Sequence, residues 1–111
     1  MNSEQLKLLN KMKKLISTGK RHFADRNDRD YLEDLTNIGI TVDDAWKIIL
    51  GLNIHFYFPD EKPKHYRSND SLTFKRDVNG IKVYIKLKIE KLDNDDETVC
   101  LSFHKDNREG W

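Results

Sequence analysis

The sequence predicts an α+β domain in which N-terminal helices pack on one face of a C-terminal antiparallel sheet. Three observations carry that prediction. Apolar residues of the first half recur at three- and four-residue steps, those of the second half fall at every second position, and Asn79-Gly80 separates two of the alternating runs. A chain of 111 residues is long enough for one hydrophobic core. One domain over 1–111 is therefore expected, with 105–111 as a frayed tail.

The elements follow in order. Leu6, Leu9, Met12, Leu15 and Ile16 mark a first helix after Ser3, and Gly19 stands where it should stop. The polar stretch "KRHFADRN" reads as a loop. Asp28 is then the expected N-cap of a short second helix carrying Tyr31, Leu32 and Leu35 and closed by Gly39. A third helix begins at Thr41, whose hydroxyl suits an N-cap. Asp43 and Asp44 fall in the first turn, where the helix dipole favours acids, and Val42, Ala45, Trp46, Ile48 and Ile49 supply its apolar side before Gly51. The segment from Ile54 opens with aromatics that fit an edge strand, but Pro59 and Pro63 interrupt it, so its second half reads as a loop.

"SLTFKRDV" and "IKVYIKLKIE" flank Asn79-Gly80, and both central residues of a type I′ turn need positive φ, so the two runs should pair antiparallel. A polar turn, "KLDNDDE", leads to "TVCLSFH". Strict alternation there turns Val99, Leu101 and Phe103 one way and Thr98, Cys100, Ser102 and His104 the other. In the central strand Ile81, Val83, Ile85, Leu87 and Ile89 share a face, leaving Lys82, Tyr84, Lys86 and Lys88 on the opposite one. With the helices on the apolar face, the lysine face is expected to be uncovered, with Ser102 and His104 beside it.

Composition narrows the function classes. Charged residues make up 35% of the chain against 37% hydrophobic, the balance of a very soluble protein with a modest core. The single cysteine, Cys100, allows no internal disulfide, which fits a reducing compartment, and cytoplasm is the expected location. Its apolar neighbours make it a packing residue rather than a nucleophile. The N-terminus lacks the apolar core of a signal peptide and no stretch is long enough to span a bilayer, so no membrane role is expected. The net charge of +1 hides an asymmetry. Between Lys62 and Lys91 nine Lys or Arg face three acids, a local +6 that leaves −5 for the rest. A basic module on an acidic body is the mark a phosphate-binding surface would leave.

His22, His55, His65 and His104 show no metal-ligand spacing, and a phosphate-binding loop, a dinucleotide fingerprint and a serine elbow are absent from the sequence. No metal or cofactor is expected. The remaining chemistry is that of RNA cutting itself. A protein can assist by deprotonating a 2′-hydroxyl, stabilising charge on the phosphorus and protonating the departing 5′-oxygen. His104 and Tyr84 are of types that exchange protons, and Lys86 and Arg76 of types that neutralise charge. Each also has a plainer explanation: Tyr84 as a cross-strand packing residue, His104 as a strand-end polar residue, Lys86 as a solubilising charge.

"NGIKVYIKLKI" followed by "VCLSFH" resembles the C-terminal half of the MqsR-type toxins of bacterial toxin-antitoxin modules. In these a Gly-x-x-Val-Tyr-Ile-Lys-like strand precedes one ending in Ser-Phe and a basic residue. "MKKLISTGK" and "LTNIGITVDDAWKIILGL" are similar to the family's basic first helix, its Leu-Gly-type break and its helix ending in Gly-Leu before an aromatic segment. The resemblance runs from the first helix to His104. It implies a RelE-like fold, metal-independent cleavage of messenger RNA and a cognate antitoxin as partner. It also implies that Tyr84 is the active-site tyrosine and that His104 holds the place of the basic residue, a lysine in the best-known members. The family's glutamine after an aromatic residue has no direct counterpart; Thr73, Lys75 and Arg76 lie near its place, and Arg76 is the residue to test. The family's lysine after the aromatic segment corresponds only to Lys62 and Lys64, at shifted spacing.

The expected site therefore joins Tyr84, His104, Lys86 and Arg76 for catalysis with Arg67, Lys75, Lys82 and Lys88 along the RNA backbone. Tyr57 and Tyr66 would stack on bases of single-stranded mRNA, free or on the ribosome. Two rivals use the same surface: a non-catalytic RNA- or protein-binding module, and a degenerate toxin that still binds its antitoxin.

Overall fold

The computed structural model describes residues 1–25, 29–59 and 71–106. Its three helices form where side chains can cap them. Helix α1, Ser3–Ser17, begins at Asn2, whose side chain accepts from the Gln5 N–H while the Gln5 side chain accepts from the Asn2 N–H. It ends at Thr18, and Gly19 follows at φ 82°. Helix α2, Tyr31–Ile38, is capped by Asp30, whose carboxylate accepts from the Leu32 N–H. That replaces the expected cap, Asp28, which lies outside the described residues. Gly39 closes α2 in the left-handed region, its N–H donating to Leu35 and Thr36. Helix α3, Val42–Leu50, starts from the reciprocal Thr41–Asp44 pair.

Among the described residues the sheet has four strands. β1 is Arg21–Phe23, β2 Ser71–Val78, β3 Ile81–Leu92 and β4 Asp95–Lys105, in spatial order β1-β4-β3-β2. β2, β3 and β4 form the expected antiparallel meander, through two-residue turns in which Asn79, Gly80, Asp93 and Asn94 all take positive φ. β1 corrects the reading of "KRHFADRN" as loop. Its first part pairs parallel to β4, with Phe23 beside Cys100, which makes the sheet mixed. The aromatic segment gives a 3-10 turn at Ile54–Phe56 and one bridge, Tyr57 to Phe74, rather than a strand.

All three helices contribute to one core against a single sheet face. Leu9, Met12 and Ile16 of α1, Leu35 and Ile38 of α2 and Ala45, Trp46 and Ile49 of α3 pack with Leu72, Phe74, Val83, Ile85, Leu87, Cys100 and Phe103. Phe23 ties β1 into it, stacked 4.7 Å from Tyr31 and tilted 4.8 Å from Trp46. The Thr98 hydroxyl, fully buried, donates to the Met12 carbonyl at 2.9 Å, so the one hydroxyl in this contact is satisfied. Among the described residues no helix is long and apolar enough to cross a membrane.

The phase of β4 differs from strict alternation. A bulge between Lys86 and Leu87 of β3 leaves Leu101 as an extra residue on β4, so Ser102 pairs with Lys86 but Cys100 pairs with Leu87. Thr98 and Cys100 thereby turn to the helices. Val99 turns to the opposite face beside Lys88, reversing the expectation for all three. Beyond the bulge, Phe103 faces the core and Ser102 and His104 face away, as expected. Lys105 belongs to β4 and Asp106 is held beyond it, so these two residues are not the frayed tail expected of them, and the rest of that expectation lies outside the described residues.

Candidate functional site

The register lays out the helix-free face as rows across three strands. Lys75, Tyr84 and His104 form one row; Thr73, Lys86 and Ser102 form the next; Asp77 and Lys82 lie on the turn side and Ser71, Lys88 and Val99 on the other. Tyr84 and His104 are a cross-strand pair with ring centroids 5.5 Å apart and an interplanar angle of 24°. Strands on both sides hold β3 and with it Tyr84, His104 is paired to it from β4, and Lys86 lies one row away. Tyr84, Lys86 and His104 are all half-buried.

The His104 contact fixes a chemical detail. Its Nδ1 lies 2.9 Å from the carbonyl oxygen of Lys105. A carbonyl only accepts, so Nδ1 carries the hydrogen, and in the neutral ring Nε2 is left as the acceptor.

The face is less open than the alternation suggests. Thr73, Lys75 and Val99 are buried. Its charge is also mixed: Asp77 is the cross-strand partner of Lys82, and the Lys88 ammonium is 4.0 Å from Glu90. At the far end His22 Nδ1 lies 3.1 Å from Glu97, which stands opposite Glu90.

Two expected site residues fall elsewhere, and a third is on the face but buried. Arg76 pairs with Val83 and so projects to the helix side, where its guanidinium lies 4.6 Å from the centroid of Phe56. It cannot share a phosphate with Tyr84 through the sheet. Tyr57 bridges Phe74 on that same side; its ring meets Phe74 edge-on at 6.0 Å and its hydroxyl accepts from Gln5 Nε2 at 2.7 Å. A base cannot stack on a ring committed in this way. Lys75 is on the Tyr84 face but inside it, its ammonium 2.8 Å from Asp106 Oδ2, so it does not track RNA from the surface. Lys82 is exposed and Lys88 half-exposed, as a backbone-binding role needs. Arg67, Tyr66, Lys62, Lys64 and His65 lie outside the described residues.

The chain has no significant match among protein-family models, curated proteins or solved structures.

Asp106 is the site neighbour that sequence reasoning passed over, because it lies in a polar stretch read as tail. The thiol of Cys100 faces the core, donating to the Ser102 carbonyl at 3.4 Å, and burial pushes its pKa far up. It is packing. Among the described residues no group of three His, Cys, Asp or Glu side chains converges on a metal site.

Proposed function

We propose that this protein is a metal-independent endoribonuclease, an mRNA interferase toxin of a type II toxin-antitoxin module with a RelE-like fold, working in the cytoplasm. The observation that carries the reading is the stacked Tyr84–His104 pair with Lys86 one row away, on the sheet face opposite the helices. These are two groups able to move protons and a cation, the set that strand cleavage by a 2′-hydroxyl requires.

His104 Nε2 takes the proton of the 2′-hydroxyl. That oxygen attacks the adjacent phosphorus, the P–O5′ bond breaks, and the products are a 2′,3′-cyclic phosphate and a 5′-hydroxyl. The phenol of Tyr84 supplies the proton to the departing 5′-oxygen, while Lys86 offsets charge on the phosphoryl oxygens. Lys82 and Lys88 hold the flanking backbone, so binding weakens as salt rises. Arg76 takes no part. A cognate antitoxin would silence the protein by covering this face or distorting it.

The test is incubation of the purified, antitoxin-free protein with a defined messenger RNA in EDTA, with and without translating ribosomes, beside a Tyr84→Phe/His104→Ala variant. Cyclic phosphate ends from the wild type, with the variant slower by about 10²-fold or more, are the expected result. RNA bound but uncut in every condition would instead favour the binding module or the degenerate toxin.

A further inference from the structure

Lys75 is the cross-strand partner of Tyr84 on β2, yet its side chain is only 5% exposed and that of Asp106 only 4%. Their charged atoms lie 2.8 Å apart, and the same ammonium is 3.9 Å from the centroid of Phe58. Asp106 is itself anchored: its N–H donates to the Lys82 carbonyl at 2.8 Å. The ion pair therefore reaches from the end of β4 over β3 to β2, beside the Tyr84 ring.

Taking two charges out of water gains little over a well-packed apolar pair, so stability alone does not explain it. Its geometric effect is more specific. It ties both neighbours of β3 together next to Tyr84, limiting where that ring can go on the side away from Lys86. A surface lysine would leave the ring this freedom.

The geometry points to Lys75, locked by Asp106, as a positioning residue that holds the Tyr84 ring against His104 without touching RNA. The inference rests on the proton-transfer roles proposed for those two rings, but the ring geometry can be tested apart from any reaction. To reach a phosphate Lys75 would have to leave both Asp106 and Phe58, which separates this role from that of Lys82 or Lys88.

The decisive variant is Lys75→Met/Asp106→Leu, which removes both charges together and leaves neither one buried alone. Asp106→Asn, which keeps shape and one acceptor oxygen, serves if the double variant does not fold. Two readouts are taken on protein shown folded by circular dichroism: the nuclear Overhauser contact between the Tyr84 and His104 ring protons, and the kcat and KM of RNA cleavage. The expected result is loss of the ring contact, with kcat down by roughly 10²-fold from misplacement and KM within about twofold. An unchanged ring contact in the folded variant overturns the positioning role, as does a raised KM at unaltered kcat, which would make Lys75 an RNA ligand. If the wild type cuts no RNA, the ribonuclease reading fails, while the ring contact still decides whether Lys75 positions Tyr84.

Discussion

At the scale of single residues, side-chain direction decides which polar groups can act together. Arg76 pairs with Val83, the residue before Tyr84, yet the sheet stands between the Arg76 and Tyr84 side chains. This was readable in advance: a two-residue turn at Asn79-Gly80 pairs Asp77 with Lys82, Arg76 with Val83 and Lys75 with Tyr84, so parity alone excludes Arg76 from the Tyr84 face. Cys100 was not readable in the same way, since its direction depends on the bulge. Its raised thiol pKa, caused by burial, yields a simple expectation. A disulfide exchange reagent at pH 8 should label Cys100 only as fast as the protein opens, and at full speed in denaturant. Rapid labelling of the folded protein would contradict its placement under the helices.

Elements form here because local chemistry and tertiary packing agree. The Thr41–Asp44 cap, the glycine stop at Gly39 and the turn at Asn79-Gly80 are each written in short, specific residue patterns, and each appears in the structure where those patterns put it. Thr41→Ala should cost about 1 kcal/mol, measured by urea unfolding, with the slope of the transition unchanged. Two elements left no such pattern. β1 is three residues long, too short for a period, and Leu101 continues a faultless alternation although it is the inserted residue of a bulge. Cys100 and Ser102 on either side of it pair with successive residues of β3 and already point to opposite faces, so deletion of Leu101 should remove the bulge while leaving Thr98 and Cys100 in the core and Ser102 and His104 on the Tyr84 face. The expected outcome is a folded protein whose loss of stability in the same urea experiment is comparable to that of Thr41→Ala, whereas a collapse of stability would contradict the assignment of Leu101 as the inserted residue.

For the molecule as a whole, charge is distributed so that much of it is already matched. Among the described residues of the +6 segment, Lys82, Lys86 and Lys88 lie on the helix-free face, Arg76 on the helix side and Lys75 inside, with acids interleaved among them. A hydrogen bond and the charge of Lys11 hold the Asp96 carboxyl below its ordinary pKa, and hydrogen bonds from Thr41 do the same for Asp44. Both groups bind fewer protons folded than unfolded near their pKa values. Their contribution is therefore present above the unfolded carboxylate pKa of about 3.9 and disappears as pH falls through the lower folded values. Thermal midpoints should drop between about pH 5 and pH 2, and Lys11→Met should flatten part of that drop. A flat profile in the wild type would mean that these pairings do not survive in solution.

The parallel strand β1 has a consequence for how the chain reaches this structure. Its partners on β4, Thr98 to Cys100, lie 77 residues further along the 111-residue chain, whereas the two hairpins close over neighbouring residues. Long loops close late, so the meander should assemble first and β1 should dock afterwards, carrying Phe23 between Tyr31 and Trp46. Phe23→Ala would then speed unfolding while leaving the refolding rate nearly unaltered, which stopped-flow fluorescence of Trp46 can measure. Until that last step, one margin of β4 waits without its neighbour, and a nascent chain passes through a stage in which another molecule's strand could take β1's place.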